Sequence, residues 1–176
     1  AALKERPYLR NVLMTDTKDV IIQGDCFSGL AGDCVQIFKE GFTIGEDRWN
    51  SEWIRSGFGD KALAAVKDVQ ATCMGTVLGT RAGAVRFLEH VQSMFTRFPY
   101  KTIDQGTVNW LLHKEGDPPY LARIPNLEGA VGTISSDAAR GAVEFKDGMI
   151  VRRADGSVIP VVHMWDRWED LREAVL

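Results

Sequence analysis

The sequence predicts an α/β fold with a mixed sheet flanked by helices, and three observations lead there. Short apolar runs alternate with amphipathic stretches of helical period along most of the chain. The Asp-Gly pairs at Asp147–Gly148 and Asp155–Gly156 sit between apolar runs, a strong hairpin signal near the end. The length of 176 residues, at 45% hydrophobic and 26% charged, suits a single domain over 1–176 with a proper core.

Arg10 to Thr15 reads as a short buried strand, and the Gly- and Asp-rich stretch from Gly24 to Asp33 as a loop. Cys34 to Phe42 alternates through Val35 and Ile37, which predicts a strand. Asn50 or Ser51 is placed to cap a short helix that Gly57 or Gly59 ends, and a second helix opens on Asp60. Ala71 to Thr80 reads as a strand interrupted by Gly75 and ended by Gly79. Val85, Leu88, Val91, Met94 and Phe95 fall at helical spacing and make the clearest helix. Another helix follows, capped near Thr102 or Asp104. Tyr120 to Ile134 reads as a strand and its continuation. The Asp-Gly turns then separate three strands, and the segment from Trp168 to the end closes as a helix.

The net charge of −3 offers no basic surplus, so nucleic-acid binding through phosphate neutralisation is not expected. No apolar run approaches the ~20 residues of a membrane span. The three cysteines, Cys26, Cys34 and Cys73, have no CxxC spacing and are read as buried thiols rather than a zinc site or a disulfide framework. No Asn-x-Ser/Thr acceptor occurs, which favours the cytoplasm slightly over a secretory compartment.

Asp16 ends the first apolar run, and Asp19 follows three residues later. In a strand those side chains face opposite ways, so they converge only if the chain turns between them. Carboxylates that close repel unless one is protonated or a cation lies between them. A hard divalent ion takes oxygen ligands, commonly one or two carboxylates together with substrate phosphates. The competing reading makes Asp16 an N-cap and Asp19 its partner in a capping box. His163 favours the cation, because it repeats the pattern of apolar strand, ligand-type side chain, then turn. His90 lies in mid-helix, and His113 ends a helix where a cation suits the dipole.

Four segments in order then resemble one family. "VLMTDTKDVIIQGDCF" resembles the region of the acidic metal motif in nucleotide-sugar-dependent glycosyltransferases of the glycosyltransferase-A fold, in branches that use Asp-x-x-Asp. "ATCMGTVLGTRAGAVRFLEHV" is similar to the family's glycine-bearing strand and helix, "TIDQGTVNWLLH" to its Asp-Gln helix, and "GSVIPVVHMWDR" to its late strand with a metal-binding histidine. The resemblance runs from about Asn11 to Trp168.

The resemblance implies a glycosyltransferase-A-like sheet and an enzyme that moves a sugar from a nucleotide-diphosphate donor to a carbohydrate or other hydroxyl acceptor. It implies that Asp16, Asp19 and His163 hold Mn²⁺ or Mg²⁺ against the diphosphate. Gly75 and Gly79 would let backbone approach the donor sugar. Gln105 and Arg167 would contact donor, and Asp104 would take the acceptor's proton or stabilise an oxocarbenium-like transition state. Capping of its helix is the alternative for Asp104, and an ion pair with Asp166 or Glu169 is the alternative for Arg167.

The family usually carries more chain before the acidic motif, so the N-terminal nucleotide-binding strands are expected to be missing, disordered or supplied by a partner. Met164 stands where an amide is frequent. Trp165 and Trp168 are candidates to shape an acceptor cleft, whereas Trp53 and Trp110 are expected in the core. The rival reading is a non-catalytic nucleotide-sugar or carbohydrate-binding module of the same fold. An aspartyl phosphatase fits less well, because Lys18 occupies the second position after Asp16.

Overall fold

The computed structural model describes residues 2–98 and 104–176. The expected α/β mixture is present, with its strands divided between two main sheets rather than gathered in one. The first sheet has the order β1-β4-β3-β5, formed by Asn11–Thr15, Gln70–Thr80, Val35–Thr43 and Leu121–Ile124. The second has the order β2-β9-β6, formed by Val20–Ile22, Val161–His163 and Val131–Thr133. A hairpin of β7 (Val143–Lys146) and β8 (Met149–Arg152) stands beside it. Its turn holds Asp147 and Gly148 at positive φ, as an Asp-Gly pair allows.

Tyr120 to Ile134 was expected to be a strand and its continuation. Its strands β5 and β6 instead join different sheets, because Pro125 and the left-handed Leu127 break the run. The Asp155–Gly156 turn yields only one bridge, between Val151 and Val158, before the chain leaves to form β9.

α3 (Arg81–Arg97) and α4 (Asp104–Glu115) cover one face of the first sheet. Val35, Ile37 and Val77 meet Phe87, Met94, Val108 and Leu111 there. The other face joins the two sheets through Phe38, Leu78, Val131 and Val161. α1 (Arg48–Phe58) and α2 (Asp60–Val66) pack around Ile44 and Ala71. The short α5 (Asp137–Gly141) and closing α6 (Glu169–Val175) complete the fold. α1 begins earlier than its Asn and Ser suggested. Asp47 is its N-cap, accepting from Asn50 N at 2.7 Å, and Gly59 ends it. The proposed Thr102 cap of α4 lies outside the described residues.

The register between β3 and β4 is broken in two places. Ile37 pairs with Val77 but Phe38 pairs with Cys73, so Met74, Gly75 and Thr76 bulge from β4 without partners on β3. Lys39 pairs with Thr72 and Thr43 with Gln70, so β3 bulges after Lys39. The bulges explain why the alternation read from Val35 and Ile37 fails: Ile37 and Phe38 are both fully buried, and Glu40, after the half-buried Lys39, is buried too.

No helix among the described residues is long and apolar enough to cross a membrane. The three cysteines are free thiols, with Cys26 and Cys73 buried and Cys34 half-buried.

Candidate functional site

β1 and β2 belong to different sheets, and the chain crosses between them over Asp16 to Asp19. At the start of the crossing, Asp16 N donates to Gly75 O at 2.8 Å. At its end, Val20 pairs with His163, and Met164 N donates to Asp19 O at 2.8 Å. These backbone ties deliver the three side chains to one point. His163 Nε2 lies 3.5 Å from Asp16 Oδ2 and 3.5 Å from Asp19 Oδ2. One ligand atom from each residue lies within 4.8 Å of the other two.

His163 is completely buried, and its Nε2 has no hydrogen-bond partner. Its Nδ1 lies 3.4 Å from Cys73 Sγ. With the ring proton on Nδ1 and donated to sulfur, the Nε2 lone pair faces the carboxylates. Burial pushes the imidazole toward its neutral form, while the charges of Asp19 and Asp16 pull the other way. A buried nitrogen with no partner, aimed between two acidic oxygens, is a costly arrangement that a divalent cation would relieve. The donor set of one imidazole and two carboxylates fits Mn²⁺ or Mg²⁺.

Gly75 packs directly beneath this cluster. A Cβ on residue 75 would stand 2.5 Å from Asp16 Oδ2 and 2.8 Å from His163 Nε2. The sequence reading gave the missing side chain to a donor sugar; the space is instead taken by Asp16 and His163 themselves. Gly79 is a second correction. It is buried in register with Val12 and Val35, and a Cβ there would meet Val35 Cγ2 at 2.8 Å and Cys34 O at 2.9 Å. Strand packing accounts for that glycine, which is no part of the cluster.

Gln105 is a third correction. Its amide is spent inside the protein: Oε1 accepts from Met74 N at 3.1 Å, and Nε2 donates to Glu40 Oε1 at 2.8 Å and Asn50 Oδ1 at 3.0 Å. No donor group remains for a sugar nucleotide. Asp104 is exposed at the first position of α4, and its Oδ1 accepts from Gln105 N at 2.8 Å.

A cavity of about 470 Å³ opens beside the cluster, lined by Asp16, Thr17, Lys18, Asp19, Asp166 and Arg167. Lys18 and Arg167 are exposed, and among the described residues neither forms an ion pair. The expected alternative for Arg167, pairing with Asp166 or Glu169, is therefore absent among those residues. Neither Trp165 nor Trp168 lines this cavity. Both pack into the core against Ile134 and Leu171, and Trp168 Nε1 donates to Ile134 O at 2.8 Å.

Glu40, which has no role assigned from sequence, is 2% exposed. Burial raises its pKa, with the Gln105 amide opposing that rise and Asp47 adding to it. A lone Glu in an apolar strand was the available signal.

Comparison with known proteins finds no matching family model and no matching curated protein.

Proposed function

We propose that this chain is the core of a metal-dependent glycosyltransferase with a glycosyltransferase-A-like fold. It transfers a sugar from a nucleotide-diphosphate sugar to a hydroxyl acceptor. The observation that carries the reading is the orphaned Nε2 of His163, 3.5 Å from each of two carboxylates contributed by a distant part of the chain. The four ordered segments that resemble the family support it, as does an adjacent open cavity bearing two cationic side chains that form no ion pair among the described residues.

Asp16, Asp19 and His163 hold Mn²⁺ or Mg²⁺, which when bound supplies Lewis acidity to a diphosphate. Burial keeps the imidazole neutral and therefore able to ligate. Arg167 and Lys18 face the same cavity, where their charges offset the negative charge that grows on a departing nucleoside diphosphate. The family resemblance gives the acceptor's proton to Asp104, through the oxygen not bonded to Gln105 N, although Asp166 is the carboxylate outside the cluster that lines the cavity itself.

The rival is a nucleotide-sugar-binding module without turnover. The engagement of Asp104 by its own helix gives it some support. Titration calorimetry with Mn²⁺ and uridine or guanosine diphosphate, run beside an assay for diphosphate released from the sugar donors, separates the two. Transferase activity requires binding and release, both lost in Asp16→Ala, Asp19→Ala and His163→Ala. Binding without release selects the module. If wild-type protein binds neither Mn²⁺ nor nucleotide, both readings fail.

A further inference from the structure

Glu40 is a buried carboxylate for which the site chemistry above has no use. Burying a carboxylate is costly, so its surroundings should show what it does. It lies where β3 bulges, which turns its side chain inward. There it meets α4 through Gln105 and, through Gln105, the start of α1 at Asn50.

The two side-chain amides in this network have fixed directions. Asp47 Oδ1 accepts from Asn50 Nδ2 at 2.9 Å, which turns Asn50 Oδ1 toward Gln105. Asn50 Oδ1 and Glu40 Oε1 are both acceptors, so both require the NH₂ end of Gln105. Gln105 Oε1 must then point the other way, and it meets Met74 N at 3.1 Å. A flipped amide would set NH₂ against that N–H.

Met74 is the first residue of the β4 bulge and has no partner on β3. Asn109, one turn along α4, bonds Thr72 in the same manner, accepting from Thr72 N and donating to Thr72 O at 2.9 Å each. The amides of Gln105 and Asn109 thus replace backbone partners beside the bulge. Gly75 follows Met74, its carbonyl accepts from Asp16 N, and a Cβ placed on it would run into His163 and Asp16.

We infer that Glu40 is a positioning residue: it fixes the orientation of Gln105, which sets the height of the Met74–Gly75 bulge beneath Asp16 and His163. The inference rests on the reading of that cluster as a metal site. Groups outside a metal's ligand sphere that orient its ligands typically change affinity 10- to 100-fold when removed, so the effect is measurable with the metal alone.

The test has two readouts. One is Mn²⁺ affinity, by calorimetry without nucleotide. The other is hydrogen exchange at the Met74 and Asp16 amides in metal-free protein, by NMR. Glu40→Ala is expected to weaken Mn²⁺ binding about tenfold and to lose protection at both amides. Glu40→Gln, which keeps an acceptor for Gln105, is expected to restore both. The inference is overturned if Glu40→Ala keeps wild-type protection, or if Glu40→Gln is as impaired as Glu40→Ala.

Should Glu40→Ala fail to fold, the pair is reversed. Gln105→Glu alone sets acceptor against acceptor and is expected to expose Met74 N. Adding Glu40→Gln supplies a donor on the Glu40 side and should recover protection in part, because Asn50 Oδ1 still faces a carboxylate oxygen; no recovery overturns the inference. If wild-type protein binds no Mn²⁺, the metal reading fails by itself, and amide exchange still decides the role of Glu40.

Discussion

Gly75 and His163 share one volume: a methyl group on the glycine would stand 2.8 Å from the imidazole Nε2. The neighbours in that contact are a buried ring and a backbone-tethered aspartate, so neither side yields easily. Gly75→Ala is expected to cost about 1–3 kcal/mol of stability, the usual range for overpacking. It should also weaken Mn²⁺ binding at least about tenfold, since the ligands themselves must move. Urea denaturation and calorimetry measure the two effects. An unchanged Mn²⁺ affinity would show that Gly75 does not shape the cluster.

Arg167 faces the cavity without an ion-pair partner among the described residues, whereas the cluster carboxylates lie on other elements. Arg167→Ala is therefore expected to weaken nucleoside diphosphate binding about tenfold or more, in line with the loss of charged hydrogen bonds. Mn²⁺ affinity should change little. The contrast between the two titrations, run on one preparation, is the check. Equal losses of both ligands would argue for disturbed folding.

Glu40 also predicts a pH effect. Burial raises its folded-state pKa, and Asp47 adds to the rise, while Gln105, Ser135 and Arg167 lower it. A carboxyl raised in this way binds its proton more tightly when folded. Its contribution to stability is complete below the ordinary Glu value near ~4.3 and is lost as pH rises through the folded value. Glu40→Gln removes that loss. Urea midpoints from pH 4 to 8 should show the variant gaining on wild type as pH rises. Parallel curves would exclude a raised pKa.

Asn109 is buried and serves both backbone groups of Thr72. Asn109→Leu preserves size but strands a buried N–H and C=O together. The expected cost is about 2–6 kcal/mol, since each of the two unsatisfied groups costs about 1–3 kcal/mol. Asn109→Asp keeps the acceptor for Thr72 N and should lose less. Reversal of that order would contradict the bonding pattern.

Much of the local architecture was legible because its signals are local. The first strand, the helix at Val85 to Phe95 and the Asp147–Gly148 hairpin all follow from periodicity or turn chemistry within a few residues. The convergence of Asp16, Asp19 and His163 was legible for a different reason: each ends or begins a strand beside a turn, where ligand-type side chains serve no packing purpose. What stayed hidden depends on register. The shifts at Ile37/Phe38 and Lys39/Thr43 leave no mark in composition, yet they bury Phe38 and Glu40 and lift Met74 to Gln105. Gly79 and Gln105 were misread for the same reason. A glycine or an amide has the same spelling whether it faces a ligand or a neighbouring strand, and only the pairing partner distinguishes them.

The crossing from Asp16 to Asp19 joins sheets that also meet through apolar contacts around Phe38, Leu78 and Val161 and through Cys73 and His163. An ion gripped there would act as a rivet, with one leg in the first sheet and two in the second. Its binding energy would count directly against separation of the halves, so the melting temperature should climb with Mn²⁺ concentration even when no nucleotide is present.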